Sequence, residues 1–235
     1  MGTNSGVSWC DYSQGFWYGC RKVSPGCANC YAERQMKRFG LDFDTVTRAK
    51  GFSKPLSWKR PGLVFVNPWS DYFHEDADAW RDEAWNIMLR TQHLTYMILT
   101  KRPENIAGRL PADWPLKNVW LGVTAENQEM ADKRIPILLS TPAALRFVSV
   151  EPMIGLVGLD TLRMFPTNEC FARPPKIDWV ICGGESGPDA RMMHERWAID
   201  LKRQCAADGV PFFFKQMSGG MPIPDYLQGQ EFPKF

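Results

Sequence analysis

Short runs of apolar residues recur along the chain, and each run ends in polar residues. The runs span residues 63–66, 96–99, 119–123, 146–150, 178–182 and 211–214. Continuous apolar runs of this length are typical of strands that are buried on both faces, as in parallel sheets. They predict six strands, and we expect a further strand ahead of the cysteine cluster near the N-terminus.

Segments between several of these runs have helical spacing. Residues 76–92, 127–140 and 194–208 place apolar side chains three and four positions apart. Strands and helices alternate with a period of about 30 residues, which indicates an α/β fold. We predict a TIM-like parallel (β/α) barrel, complete or partial, with a cysteine-cluster loop near the N-terminus. An open doubly wound sheet is the alternative. No linker demands a second domain, so residues 1–235 form one predicted domain.

Polar residues fall where the predicted strands end. In both candidate folds, ligands bind at the C-terminal ends of the strands. Glycines there let a backbone approach a ligand closely, and acidic residues can accept hydrogen bonds from an amino or ribose group. The predicted cofactor-binding residues are Thr124, Glu126, Glu151, Gly183, Gly184, Glu185 and Ser186. The alternative is structural, with tight turns at the glycines and salt bridges from the acids to Lys101, Arg102 or Lys215.

Composition narrows the class of protein. Charged residues make up 23% of the chain and hydrophobic residues 44%, as in an ordinary globular protein. The net charge of +2 argues against a general polyanion-binding surface. No apolar run is long enough to span a membrane, and the first residues lack the pattern of a signal peptide. We therefore expect a cytoplasmic protein whose thiols stay reduced.

Four of the seven cysteines lie in the first 30 residues, at Cys10, Cys20, Cys27 and Cys30. Such clustering in a reducing compartment indicates metal or redox chemistry more than disulfides. Cys27 and Cys30 form a CxxC pair, and the turn-forming residues 24–26 can fold the chain so that Cys20 converges on them.

The number of thiolates decides what such a site can do. Three thiolates suit a [4Fe–4S] cluster with one iron left open, and that iron can chelate the amino acid end of S-adenosylmethionine. If Cys10 is a fourth ligand, the site becomes a closed one, and a structural zinc ion is the rival. Three unliganded core cysteines are the remaining alternative.

The chain closely resembles the phage gene product 37/68 family, a three-cysteine-motif domain. The resemblance runs from about Cys20 to Gln216 through the strings GCRKVSPGCANCYAER, ILTKRPE, VWLGVTAENQ, ADKRIPILL, FVSVEPMIG, WVICGGESGPDAR and PFFFKQ. That family is similar to radical S-adenosylmethionine enzymes, and to spore photoproduct lyase-like proteins in particular.

The resemblance implies a lyase or transferase in a bacterial or phage-infected cell. Cys20, Cys27 and Cys30 would bind the [4Fe–4S] cluster, and an electron donor would reduce it. The cluster would cleave S-adenosylmethionine, and the resulting radical would take hydrogen from a substrate such as a nucleic-acid base or nucleotide.

Two departures from the usual radical-enzyme motif stand out. Six residues separate Cys20 from Cys27, where three are usual, and Asn29 precedes the last cysteine, where an aromatic residue is usual. The alternative function is a phage-associated nucleotide- or nucleic-acid-binding protein whose cysteines hold a purely structural zinc ion or cluster. An iron without a protein ligand would decide between the two.

Overall fold

The structure is a computed structural model, and it describes residues 7–159 and 176–234. The strands are β1 (Tyr12–Gln14), β2 (Trp17–Tyr18), β3 (Thr47–Arg48), β4 (Gly62–Val66), β5 (Leu94–Thr100), β6 (Val119–Thr124), β7 (Leu145–Val150), β8 (Trp179–Gly183) and β9 (Phe212–Gln216). The helices are α1 (Tyr31–Arg38), α2 (Asp78–Arg90), α3 (Gln128–Ser140) and α4 (Glu195–Ala207).

Seven strands share one sheet in the order β1-β4-β5-β6-β7-β8-β9, while β2 and β3 form a separate antiparallel pair. The pairs β1–β4, β4–β5, β7–β8 and β8–β9 are parallel. The predicted α/β fold with a parallel sheet is confirmed. The strands of the sheet follow chain order, without the reversal at which a doubly wound sheet changes direction.

Contacts between Cα atoms divide the described chain into two compact units. The first unit comprises residues 7–23, 30–121 and 142–144, and the second comprises residues 24–29, 122–141, 145–159 and 176–234.

The core of the first unit is aromatic. Tyr72 lies with its ring centroid 5.0 Å from Trp17 and 4.8 Å from Trp85, and all three side chains are buried. Arg81 of α2 is also buried, and its guanidinium donates to the carbonyls of Tyr72 and His74 at 3.2 and 2.6 Å. These bonds tie α2 to the segment that follows β4.

In the second unit, close packing sets residue size. A side chain at Gly122 would place its Cβ about 2.5 Å from the buried ring of Phe147, so only glycine fits this position of β6.

The outer edge of β9 is covered by the C-terminal segment, because the Phe214 amide donates to Gly229 at 3.1 Å. This pairing shields an edge strand that would otherwise present unpaired backbone groups. No helix among the described residues is long and apolar enough to cross a membrane.

Candidate functional site

Cys20 is held in the first unit by a turn that only glycine can make. Gly19 has φ = +92°, and a Cβ there would lie 2.2 Å from the carbonyl oxygen of Thr45. The Gly19 amide donates to Trp69 at 3.1 Å, and the Cys20 amide donates to Phe43 at 2.7 Å. The position of the Cys20 backbone is therefore fixed on both sides.

A buried arginine stands beside the Cys20 sulfur. Arg102 follows β5 and is only 4% exposed. Its Nη1 lies 3.8 Å from Cys20 Sγ, and its Nη2 donates to the Arg21 carbonyl at 3.0 Å. A guanidinium stays charged at any ordinary pH, so Arg102 places a fixed positive charge beside the Cys20 sulfur.

Cys27 lies in a loop of the second unit, residues 24–29, which Glu126 anchors from the end of β6. The Glu126 side chain is fully buried, and its Oε1 accepts hydrogen bonds from the Gly26 amide at 3.0 Å and from the Ser24 hydroxyl. Its Oε2 accepts from Arg134 Nη1 at 2.8 Å. A Cβ at Gly26 would stand 2.8 Å from the Glu126 carboxyl group, so glycine permits this close approach.

Glu185, which follows β8, holds the other end of the same loop. Its Oε2 accepts from Asn29 Nδ2 at 2.9 Å and from the Arg191 amide at 2.9 Å. Arg191 pairs with both Glu185 oxygens, and its Nη1 donates to the Pro25 carbonyl at 3.0 Å. Burial alone would raise the pKa of Glu185, but the hydrogen bonds from Arg191 and Asn29 hold that pKa below its ordinary value.

Two of the remaining predicted cofactor residues, Glu151 and Gly184, have structural contacts of their own. Glu151 forms an ion pair with Lys215, as the structural alternative expected. A Cβ at Gly184 would lie 2.3 Å from the backbone nitrogen of Ser218, so that glycine is required by packing of the chain on itself.

Three predicted residues neither anchor the loop nor take part in an ion pair or close backbone packing like that of Glu151 and Gly184. These are Thr124, Gly183 and Ser186. The hydroxyl of Thr124 is buried and has no hydrogen-bond partner among the described residues. A Cβ at Gly183 would make ordinary contacts of 3.4 Å and longer, and Ser186 is exposed. Thr124 is thus the predicted residue with an unused hydrogen-bonding group.

Cys10 lies at the opposite end of the first unit's strands from Cys20. The amide of Asp11 donates to Leu63 at 2.9 Å, beside the N-terminal end of β4, whereas Cys20 adjoins Trp69, which follows the C-terminal end of β4. A parallel strand rises about 3.3 Å per residue, so the five residues of β4 separate the two ends by about 15 Å. Cys10 and Cys20 therefore do not share a metal centre in this structure.

Two other cysteines are core residues. Cys182 in β8 and Cys205 in α4 are buried, and neither forms a disulfide. Burial raises the pKa of Cys182 well above its ordinary value and that of Cys205 to about 12, so both stay protonated thiols at neutral pH. Cys170 lies outside the described residues.

One group of potential metal ligands, His74, Glu75 and Asp76, brings its ligand atoms within 4.8 Å of one another. Both carboxylates already face arginines: Glu75 lies 3.7 Å from Arg21 and from Arg102, and Asp76 pairs with Arg21. His74 Nδ1 accepts from the Asp76 amide at 3.2 Å, and burial and the Arg102 charge lower its pKa. Two guanidinium charges would repel a bound cation, so we assign this group as an ion-pair cluster.

Sequence reasoning placed Glu126 and Glu185 at the site but missed what they bind. From the sequence, their loop partners, Ser24, Gly26 and Asn29, are predicted only as turn residues or as a departure from a motif. Two signals were available: Arg134 follows Glu126 by eight positions, and Arg191 follows Glu185 by six.

The comparisons with known proteins give a family and no activity. No curated protein and no solved structure matches the chain. One family model, described as a protein of unknown function (DUF5131), matches residues 4–226. This match covers nearly the whole chain, and the chain therefore belongs to the DUF5131 family.

Proposed function

We propose that the protein is an iron–sulfur, S-adenosylmethionine-dependent radical enzyme, with a [4Fe–4S] cluster bound by Cys20, Cys27 and Cys30. The observation that carries the proposal is the donor set: three partly exposed cysteines that form no disulfide lie within eleven consecutive residues, and Cys10 lies at the far end of the strands. Three thiolates leave one iron of a cubane cluster without a protein ligand.

The number of thiolates favours a cluster over zinc. A structural zinc ion takes four protein ligands, whereas three thiolates leave one iron of a cubane cluster open.

The chain's own residues have defined tasks in this proposal. Glu126 and Glu185 are positioning residues, because they act on the loop that carries Cys27 through Ser24, Gly26 and Asn29. A bound cluster would supply the electron that cleaves the sulfonium of S-adenosylmethionine.

Other residues would supply charge and hydrogen bonds in this proposal. Arg102 offsets negative charge at the Cys20 sulfur. Thr124 offers a buried hydroxyl donor for the cofactor, while Glu151 with its partner Lys215, Gly183 and Ser186 remain the other proposed contacts.

The wider setting follows from the same proposal. A sheet whose strands follow chain order is the topology of a (β/α) barrel, and we assign this one as a partial TIM-like barrel. We place the enzyme in the cytoplasm, where an electron donor can reduce the cluster, and propose a nucleic-acid base or nucleotide as substrate. The alternative, a binding protein with a structural zinc ion or closed cluster, requires a fourth protein ligand.

Single replacement of cysteines tests the assignment. After anaerobic reconstitution with iron and sulfide, alanine variants of Cys20, Cys27 and Cys30 should each lose the cluster. Cys10→Ala and Cys205→Ala, as matched controls, should keep the iron content of the unaltered protein. Loss of iron in Cys10→Ala would indicate a closed four-cysteine site and the alternative function. Equal iron in all five variants would reject the site altogether.

A further inference from the structure

Exposed aromatic side chains lie at both ends of α1 in the first unit. Phe39, at the end of the helix, is 63% exposed, and Tyr31 at its start is exposed as well. The helix buries only Ala32 and Met36, so most of its surface faces solvent. Phe39 is the most exposed large hydrophobic residue among those described.

These rings form an ordered array. Phe39 stacks on Trp69 with centroids 5.8 Å apart and an interplanar angle of 29°. Tyr18 contacts the same Trp69 ring at 5.8 Å, and the Tyr31 hydroxyl donates to the Pro68 carbonyl next to it. Rings fixed in this way offer flat apolar faces at little cost in side-chain entropy.

Positive charge is concentrated on the same segment. Residues 18–23 and 30–41 contain five cations and a single acid, and one of the cations, Arg21, already pairs with Glu75 and Asp76. The one acid, Glu33, pairs with Lys22 at 2.7 Å. Within the described part of the chain, the exposed side chains of Lys37 and Arg38 enter no ion pair. The charge of this surface is thus complementary to a polyanion.

The surface also adjoins two of the proposed cluster ligands. Tyr31 directly follows Cys30, and the amide of Gly19, next to Cys20, donates to Trp69 at 3.1 Å. A ligand stacked on these rings would lie beside the cysteines of the first unit.

We propose that this surface, formed by Tyr18, Tyr31, Lys37, Arg38, Phe39 and Trp69, binds single-stranded nucleic acid. Bases stack on the rings, and Lys37 and Arg38 contact the phosphates. Single strands are favoured over duplexes because paired bases do not present their faces. The inference deepens the proposed function, because it says where the substrate would bind. The role of the bound strand as a substrate rests on the proposed function, whereas the binding itself does not.

Fluorescence anisotropy with a labelled oligonucleotide of about 12 nucleotides tests this surface. Matched DNA and RNA single strands and the DNA duplex are the probes. We expect Phe39→Ala to weaken single-strand binding about tenfold or more. The Lys37→Gln/Arg38→Gln double variant should weaken binding and lower the slope of log affinity against log salt by about 1.4.

The controls remove similar groups from the second unit. Tyr226→Ala removes another exposed ring, and Lys133→Gln/Arg203→Gln removes the same charge, and both should bind as the unaltered protein does. Binding should persist in Cys27→Ala, which lacks the proposed cluster, so loss of the cluster and loss of binding are separate results. Equal affinity in all surface and control variants would overturn the inference. The inference would also be overturned if the unaltered protein bound anionic phosphatidylserine vesicles but none of the oligonucleotides.

Discussion

Replacing Glu126 by glutamine perturbs the cysteine loop at its most buried anchor. The amide keeps the shape of the side chain but loses its charge opposite Arg134, which is itself only 2% exposed. It also offers one oxygen in place of two, so it cannot accept from both the loop and Arg134. The hydrogen bonds from Ser24 and from the Gly26 amide are then weakened or lost.

The magnitude follows from the burial of the pair. Removing one partner of a buried ion pair costs about 3–5 kcal/mol. Arg134 also donates to the Thr124 carbonyl at 2.8 Å, which keeps part of its hydrogen bonding, so we expect the lower end, about 3 kcal/mol. Domains are stable by about 5–15 kcal/mol, so the variant should still fold, with a weakened loop.

Urea unfolding and iron content after anaerobic reconstitution measure the two effects separately. Leu138→Ala is the matched control, because Leu138 is a fully buried residue of α3 whose truncation costs about 2–5 kcal/mol. Glu126→Gln should lose most of its iron, whereas Leu138→Ala should keep it at a similar loss of stability. The reasoning fails if Glu126→Gln binds iron normally, or if both variants lose iron equally.

Two further predictions concern stability. Because the folded pKa of Glu185 lies below its ordinary value near 4.5, its stabilising effect is present above that pH and is lost as pH falls through the folded pKa. Glu185→Gln should therefore be about 1–2 kcal/mol less stable at pH 7, with a smaller deficit at pH 3.5, as measured by urea unfolding; a deficit that does not change with pH would contradict this. Gly184→Ala should lose about 1–3 kcal/mol in thermal unfolding, because its Cβ would meet the Ser218 backbone. Gly108→Ala, where a Cβ meets nothing within 4 Å, is the control, and equal losses would refute the packing argument.

The main strands and helices could be predicted because each carries its own periodic signal. The six apolar runs became β4 to β9, and the three helical segments became α2 to α4, with ends shifted by a few residues. The β2–β3 pair was missed, because strands of two residues have no measurable periodicity.

The sequence predicted that Glu126 and Glu185 follow strands, but it did not predict which residues they contact. Strand-end polarity pointed to Glu126 and Glu185, but their loop partners are 100 and 156 residues away in sequence. Contacts of that separation depend on the packing of the whole chain, which no local pattern encodes. Asn29 shows the consequence: it departs from the familiar motif, yet its side chain is what Glu185 holds.

Electron paramagnetic resonance of the reconstituted, reduced protein tests the central claim most directly. The account predicts a reduced-cluster signal that changes when S-adenosylmethionine is added, because one iron lacks a protein ligand. A colourless protein that retains one tight zinc ion, or a cluster signal that S-adenosylmethionine leaves unchanged, would contradict it.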